Sequence, residues 1–117
     1  MTEQTQAAEN ELIYAGTLPG TEREIYVSPL KMKWDDAVRL ATSFTTDDKP
    51  AGSFELPSDR TLKAAFQSMA SLDGFDPKAR YWTSYSFLMC STVLRPDDEN
   101  VRQVSKDKKY SVCIISR

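Results

Sequence analysis

Tyr110-Ser111-Val112-Cys113-Ile114-Ile115-Ser116 carries apolar side chains on both of its faces. In an extended chain, alternation sends Val112, Ile114 and Ser116 one way and Cys113 and Ile115 the other. A strand that is apolar on both sides belongs in a buried, central position. Upstream of it, Val101 to Ser105 reads as another strand, and Pro96-Asp97-Asp98-Glu99-Asn100 as the turn that precedes it. Tyr81 to Ser86 and Phe87 to Leu94 are rich in aromatic, β-branched and apolar residues and also read as β. The basic stretch Lys106, Lys108 and Lys109, interrupted by Asp107, reads as a solvated hairpin turn.

Before residue 80 the period changes. Trp34, Ala37, Val38, Ala41 and Phe44 recur at the spacing of one helical face, with Asp35 and Asp36 in the first turn, where the helix dipole favours negative charge. This predicts a helix from Lys33 to about Thr45, followed by a loop over Thr46 to Gly52. A second helix is predicted after Pro57, with Ser58 as N-cap and Leu62, Ala65, Phe66 and Met69 as its apolar stripe. Both stripes are read as core-facing. Leu12 to Thr17 and Glu24 to Val27, separated by Leu18-Pro19-Gly20-Thr21, predict an N-terminal β-hairpin. Residues 1–10 are polar and aperiodic and are expected to form a flexible tail, leaving 11–117 as one α+β domain.

The chain has 117 residues, 40% of them hydrophobic, which suits a single domain with a real core. Its net charge of −2 and pI near 5.1 do not fit a binder of nucleic-acid backbone. No apolar run reaches the roughly 20 residues that span a bilayer, and the polar, acidic N-terminus does not read as a signal peptide. The expectation is a cytoplasmic protein with Cys90 and Cys113 reduced, and neither membrane nor nucleic acid is an expected partner.

Chemistry is excluded more sharply than fold. The sequence contains no histidine, which removes Ser-His-Asp and Cys-His nucleophilic pairs, histidine metal ligands and the commonest general base. Its four glycines are scattered, so there is no phosphate-cradling loop. No enzyme activity, cofactor or metal is expected. Asp97, Asp98, Glu99 and Asn100, and separately Asp73 and Asp76, have the oxygen ligands that Ca²⁺ prefers, but neither group has EF-hand spacing, and a hairpin turn is the reading adopted for the first. Tyr81, Trp82 and Tyr85 are the candidate aromatic contact group, with Asp97, Asp98 and Asn100 as polar contacts. Alternation places Tyr81 and Tyr85 on one face and Trp82 on the other, so one face is expected in the core. The loops Asp47 to Ser53 and Asp73 to Arg80 are further candidate contact surfaces.

Several motifs also carry a resemblance. Trp34-Asp35-Asp36-Ala37 opens one helix, Phe54-Glu55-Leu56-Pro57-Ser58 leads into the next, and Tyr81-Trp82-Thr83-Ser84 and the strand Tyr110 to Cys113 follow. In order and spacing, over residues 30 to 117, this resembles the bacterial and phage domain family of unknown function that ends collagen-like adhesins. That family's signatures are W-x-x-A, W-R-L-P-T, Y-W-S-S and V-R-C-V-R, and it is similar to C-type lectin-like folds. Phe54 and Glu55 stand in place of the family's Trp and Arg, and Val112 and Ile115 stand where its arginines sit. The resemblance implies a small twisted antiparallel sheet, two flanking helices, paired terminal strands and ligand contacts on long loops. The missing export signal, catalytic residues and sugar-site motifs favour an intracellular protein-binding module, such as a phage or mobile-element inhibitor of a host defence complex. The alternative, which the resemblance implies, is a carbohydrate-binding module on a phage particle or cell surface.

Overall fold

The computed structural model describes residues 12–117 apart from 69 and 71. The expected tail and the expected helical Met69 lie outside the described residues. The elements in chain order are β1 (Ile13–Thr17), β2 (Glu24–Val27), α1 (Trp34–Ser43), β3 (Phe54–Glu55), α2 (Asp59–Gln67), β4 (Tyr81–Trp82), β5 (Cys90–Arg95), β6 (Asp98–Ser105) and β7 (Cys113–Ser116). The fold is α+β, with its strands divided into two small antiparallel sheets rather than gathered into one. One runs β1-β2-β7-β3 and the other β4-β5-β6.

β7 occupies the centre its sequence demands. It pairs antiparallel with β2 through Ile25↔Ile115, Tyr26↔Ile114 and Val27↔Cys113, and on its other side with β3 through Phe54↔Ser116 and Glu55↔Ile115. All of its residues are buried. Val112 and Ile114 join a cluster with Ala37, Ala41, Phe44, Phe54, Trp82 and Val93. Cys113 and Ile115 join the opposite cluster, with Ile25, Val27, Leu62, Ala65 and Tyr81. Each cluster takes one helix. α1 contributes Ala37 and Ala41 to the first, and α2 contributes Leu62 and Ala65 to the second. The alternation along residues 112–115 thus divides the interior into two cores.

The helix boundaries follow their local chemistry. Ser58 caps α2 by accepting a hydrogen bond from the Thr61 amide, satisfying one donor left free by the first turn. α1 has no side-chain cap at Lys33, and its first-turn acids Asp35 and Asp36 offset the dipole instead. It ends where Phe44 turns extended to drop its ring beside Phe54 and Tyr26. Among the described residues no helix is long and apolar enough to cross a membrane.

Three expectations need correction. The strands expected over 81–86 and 87–94 shrink to β4 and β5, because the intervening residues form a hairpin end instead. The turn expected over 96–100 is confined to Pro96 and Asp97, and β6 starts at Asp98. Lys106 to Lys109 do not close a hairpin, since β6 and β7 belong to different sheets. The segment crosses between the sheets, and Met32 and Tyr110 exchange backbone hydrogen bonds of 3.0 Å just beyond it.

Candidate functional site

The sequence-predicted contact residues separate in the structure. Tyr81 and Trp82 sit on opposite faces of β4, as alternation requires, but each face meets one of the two cores, so both rings are buried. They are core residues and present no contact surface, which corrects that assignment. The Trp82 indole N–H donates to the Met32 carbonyl at 2.8 Å, and the Tyr81 hydroxyl accepts from the Asp76 amide at 2.7 Å. Burial pushes the Tyr81 phenol up to about 12 and the Cys113 thiol likewise to about 12. Cys90, half-buried, is also a free thiol.

Asp97, Asp98 and Asn100 are brought together, but for a structural purpose. Asp97 pairs with Arg95 across the turn. Asp98 accepts from the Asn100 amide at 3.0 Å, and its other oxygen lies 3.6 Å from Arg102. The hydrogen bond donated by the Asn100 backbone N–H, with Arg102 and Arg95 nearby, holds the Asp98 carboxyl below the ordinary carboxylate range. This turn lies at the far end of β5 from residue 90, about 17 Å away by strand rise. It is therefore not part of any site containing Tyr85. Among the described residues no group of three or more His, Cys, Asp or Glu could hold a metal ion. The loops around 47–53 and 73–80 keep most of their residues exposed, and backbone bonds such as Gly52 N–H to Thr42 O at 2.8 Å and Ala79 N–H to Asp76 O at 3.1 Å order them.

Tyr85 does reach solvent, and with it come three residues not identified from sequence. Tyr85, Phe87, Leu88 and Met89 are 48%, 57%, 78% and 73% exposed, and all lie in one reversal of the chain. The geometry of that reversal explains why. β4 and β5 pair as Tyr81↔Leu94 and Trp82↔Val93, yet at the tip Phe87 faces Cys90, which leaves two extra residues on the first limb. Ser84 leaves the sheet and donates to the Pro57 carbonyl at 2.8 Å, so the backbone bulges and carries Tyr85 outward. The turn itself has only Leu88 and Met89 at its apex, closed by bonds of 3.0 and 2.9 Å between Phe87 and Cys90. Leu88 has φ 54°, the only positive φ at a non-glycine among the described residues. Such two-residue turns normally begin with glycine for this reason. A leucine there costs of order 1 kcal/mol.

The tip is held from below. Thr83 Oγ1 accepts from the Tyr85 amide at 3.2 Å, and Ser91 Oγ donates to the Tyr85 carbonyl at 2.6 Å. Lys106 binds across it: its amide donates to Met89 O at 2.8 Å, and its ammonium donates to Ser86 Oγ at 2.7 Å and Leu88 O at 2.9 Å. The same ammonium lies 4.1 Å from the centroid of the Trp34 ring, whose indole N–H donates to Thr83 O at 3.0 Å. Backbone groups of Tyr85, Phe87, Leu88, Met89 and Cys90 are thus hydrogen-bonded while the apolar side chains face water.

Beside this projection lies a depression. Trp34, Val38 and Thr42 of α1 face Phe54, Leu56 and Ser84 across a shallow groove of about 200 Å³. Trp34 and Ser84 belong to both features, so convex tip and concave groove form one continuous surface. Compared with protein-family models and with curated proteins, the chain matches none.

Proposed function

We propose that this chain is a non-enzymatic protein-binding module whose contact surface is the Tyr85–Met89 tip together with the groove beside it. The carrying observation is that a leucine occupies a turn position suited to glycine while remaining 78% exposed. Folding gains nothing from it, and a pocket on another molecule would. Clusters of exposed aromatic and aliphatic side chains on a pre-ordered backbone are the usual anchors of protein interfaces, because little entropy remains to be lost on docking. Of the three rings in the candidate aromatic contact group, Tyr85 alone is exposed, which leaves a carbohydrate-binding alternative with one ring for a sugar to stack on. A rigid plug acts by occupying a partner's surface, the working mode of an inhibitor.

The test is affinity capture with the wild-type chain and a Leu88→Asp, Met89→Asp variant in parallel. Both side chains lie outside the core, so the variant should keep the wild-type Tm. The wild type should retain a specific protein that the variant loses. Recovery of nothing specific, or equal recovery by both, would overturn the reading.

A further inference from the structure

We infer that the groove beside the tip receives an apolar side chain from an acidic polypeptide segment of the partner, its carboxylates meeting cations at both ends of the groove. This rests on the protein-binding reading above and specifies the chemistry of what is bound. The groove floor is apolar, contributed by Val38, Phe54 and Leu56, with Trp34 at one end, and its volume suits one large side chain. At the Trp34 end sits the Lys106 ammonium. Lys33 precedes Trp34, and Lys108 follows in the segment whose Lys106 carbonyl accepts from the Trp34 amide. Backbone bonds between Met32 and Tyr110 hold Lys31 and Lys109 in the same neighbourhood. The segments 31–33 and 106–110 therefore bring together five lysines against the single Asp107, in a chain whose net charge is −2.

At the opposite end stands Arg117, whose side chain is 61% exposed. The groove's own carboxylate, Glu55, is already shared, its two oxygens lying 3.1 Å from Arg23 and 3.0 Å from Arg117. Asp36 on α1 pairs with Arg39, and Asp35 follows Trp34 in the first turn of α1. Lysines thus outnumber acids in the segments at the Trp34 end, and Arg23 and Arg117 together exceed Glu55 by one at the other, so complementary charge favours an acidic occupant. A second copy of this chain is disfavoured in a symmetric pairing, because the same lysine-rich patch would have to face itself across the two-fold. A flat anionic bilayer could take the tip and attract the lysines, but it has no side chain to fill the groove beside them.

The experiment selects binders to the intact wild-type chain from a displayed random-peptide library. It then measures the enriched peptides on wild type, Thr42→Glu, and Lys33→Glu with Lys108→Glu. Thr42, Lys33 and Lys108 are exposed, so these variants keep the fold. Enriched peptides should place Leu, Phe or a similar residue among Asp and Glu, and bind more weakly as salt rises. Each variant should weaken them at least tenfold. Enrichment of basic or uncharged sequences, no enrichment, or indifference to Thr42→Glu would overturn the inference. So would tip-dependent co-sedimentation with phosphatidylserine vesicles, which would reassign the lysines to a membrane. If Thr42→Glu still retains the partner recovered in the capture experiment while the tip variant loses it, this inference fails and the protein-binding reading stands.

Discussion

Trp82 and Tyr85 are three residues apart and have opposite fates. Trp82 is wholly enclosed, its ring packed edge-on to Tyr110 and its N–H satisfied. Tyr85 stands half in water on a bulge that the sheet does not need. The local composition is alike on both sides of Thr83, so amino-acid type does not separate them. Pairing does: β4 is clamped between β5 and the backbone of Ser111, whereas from Ser84 onward the chain bonds to Pro57 and leaves the ladder. Residues before the break hold the fold together, and residues after it are free for contact.

The sharpest way to break this contrast is truncation. Trp82→Ala should cost about 3–5 kcal/mol, enough to unfold much of the population of a marginally stable domain. Tyr85→Ala should stay within about 0.5 kcal/mol, as for other exposed positions. Chemical denaturation of the two variants measures both, and equal losses would refute the division.

At the tip the sign should reverse. Leu88→Gly removes the positive-φ penalty, although added freedom in the unfolded chain offsets part of it, so a net gain of up to about 1 kcal/mol is expected. Partner binding should fall at least tenfold in the same variant. A thermal melt and a binding isotherm on one sample separate the effects, and a destabilised Leu88→Gly would mean that Leu88 supports the fold after all.

Alkaline titration probes the buried side. The folded state favours the neutral forms of Cys113 and Tyr81, whose ordinary values of 9.0 and 10.0 are both raised to about 12. Their contribution is complete below pH 9, declines as pH rises from there, and is lost by about pH 12. Cys113→Ala should delay the onset of that decline, since the remaining raised groups, the Tyr81 and Tyr26 phenols, start from 10.0 rather than 9.0. The smallest effect belongs to the β5–β6 turn. Asp97 and Asp98 already have arginine and amide partners, so millimolar Ca²⁺ should leave Tm unchanged, and a clear upward shift would restore the turn as a candidate cation site.

The sequence was most legible where pattern and packing agree. Residues 112–116 announced a central strand, the stripes from Trp34 and Leu62 announced two helices, and Ser58 announced a cap. Residues 84–89 were illegible because their reversal lacks the glycine or asparagine that marks such turns, and its apolar apex reads as strand. One signal was available: two adjacent strands over 81–86 and 87–94 can pair antiparallel only if the chain reverses near residues 87–88. The burial of both Tyr81 and Trp82 is illegible for a different reason. Their alternation was right, but periodicity does not reveal that a two-residue strand has a core on each side.

The double duty of β7 has a consequence for biogenesis. Ile25 to Val27 wait for Cys113 to Ile115, some 88 positions later, before the larger sheet has a middle. Contacts of such long sequence separation slow folding, and neither hydrophobic layer is complete while those residues remain inside the ribosome. A nascent chain stopped before Val112 would therefore expose both layers at once, making it a substrate for chaperones and proteases rather than a half-folded intermediate.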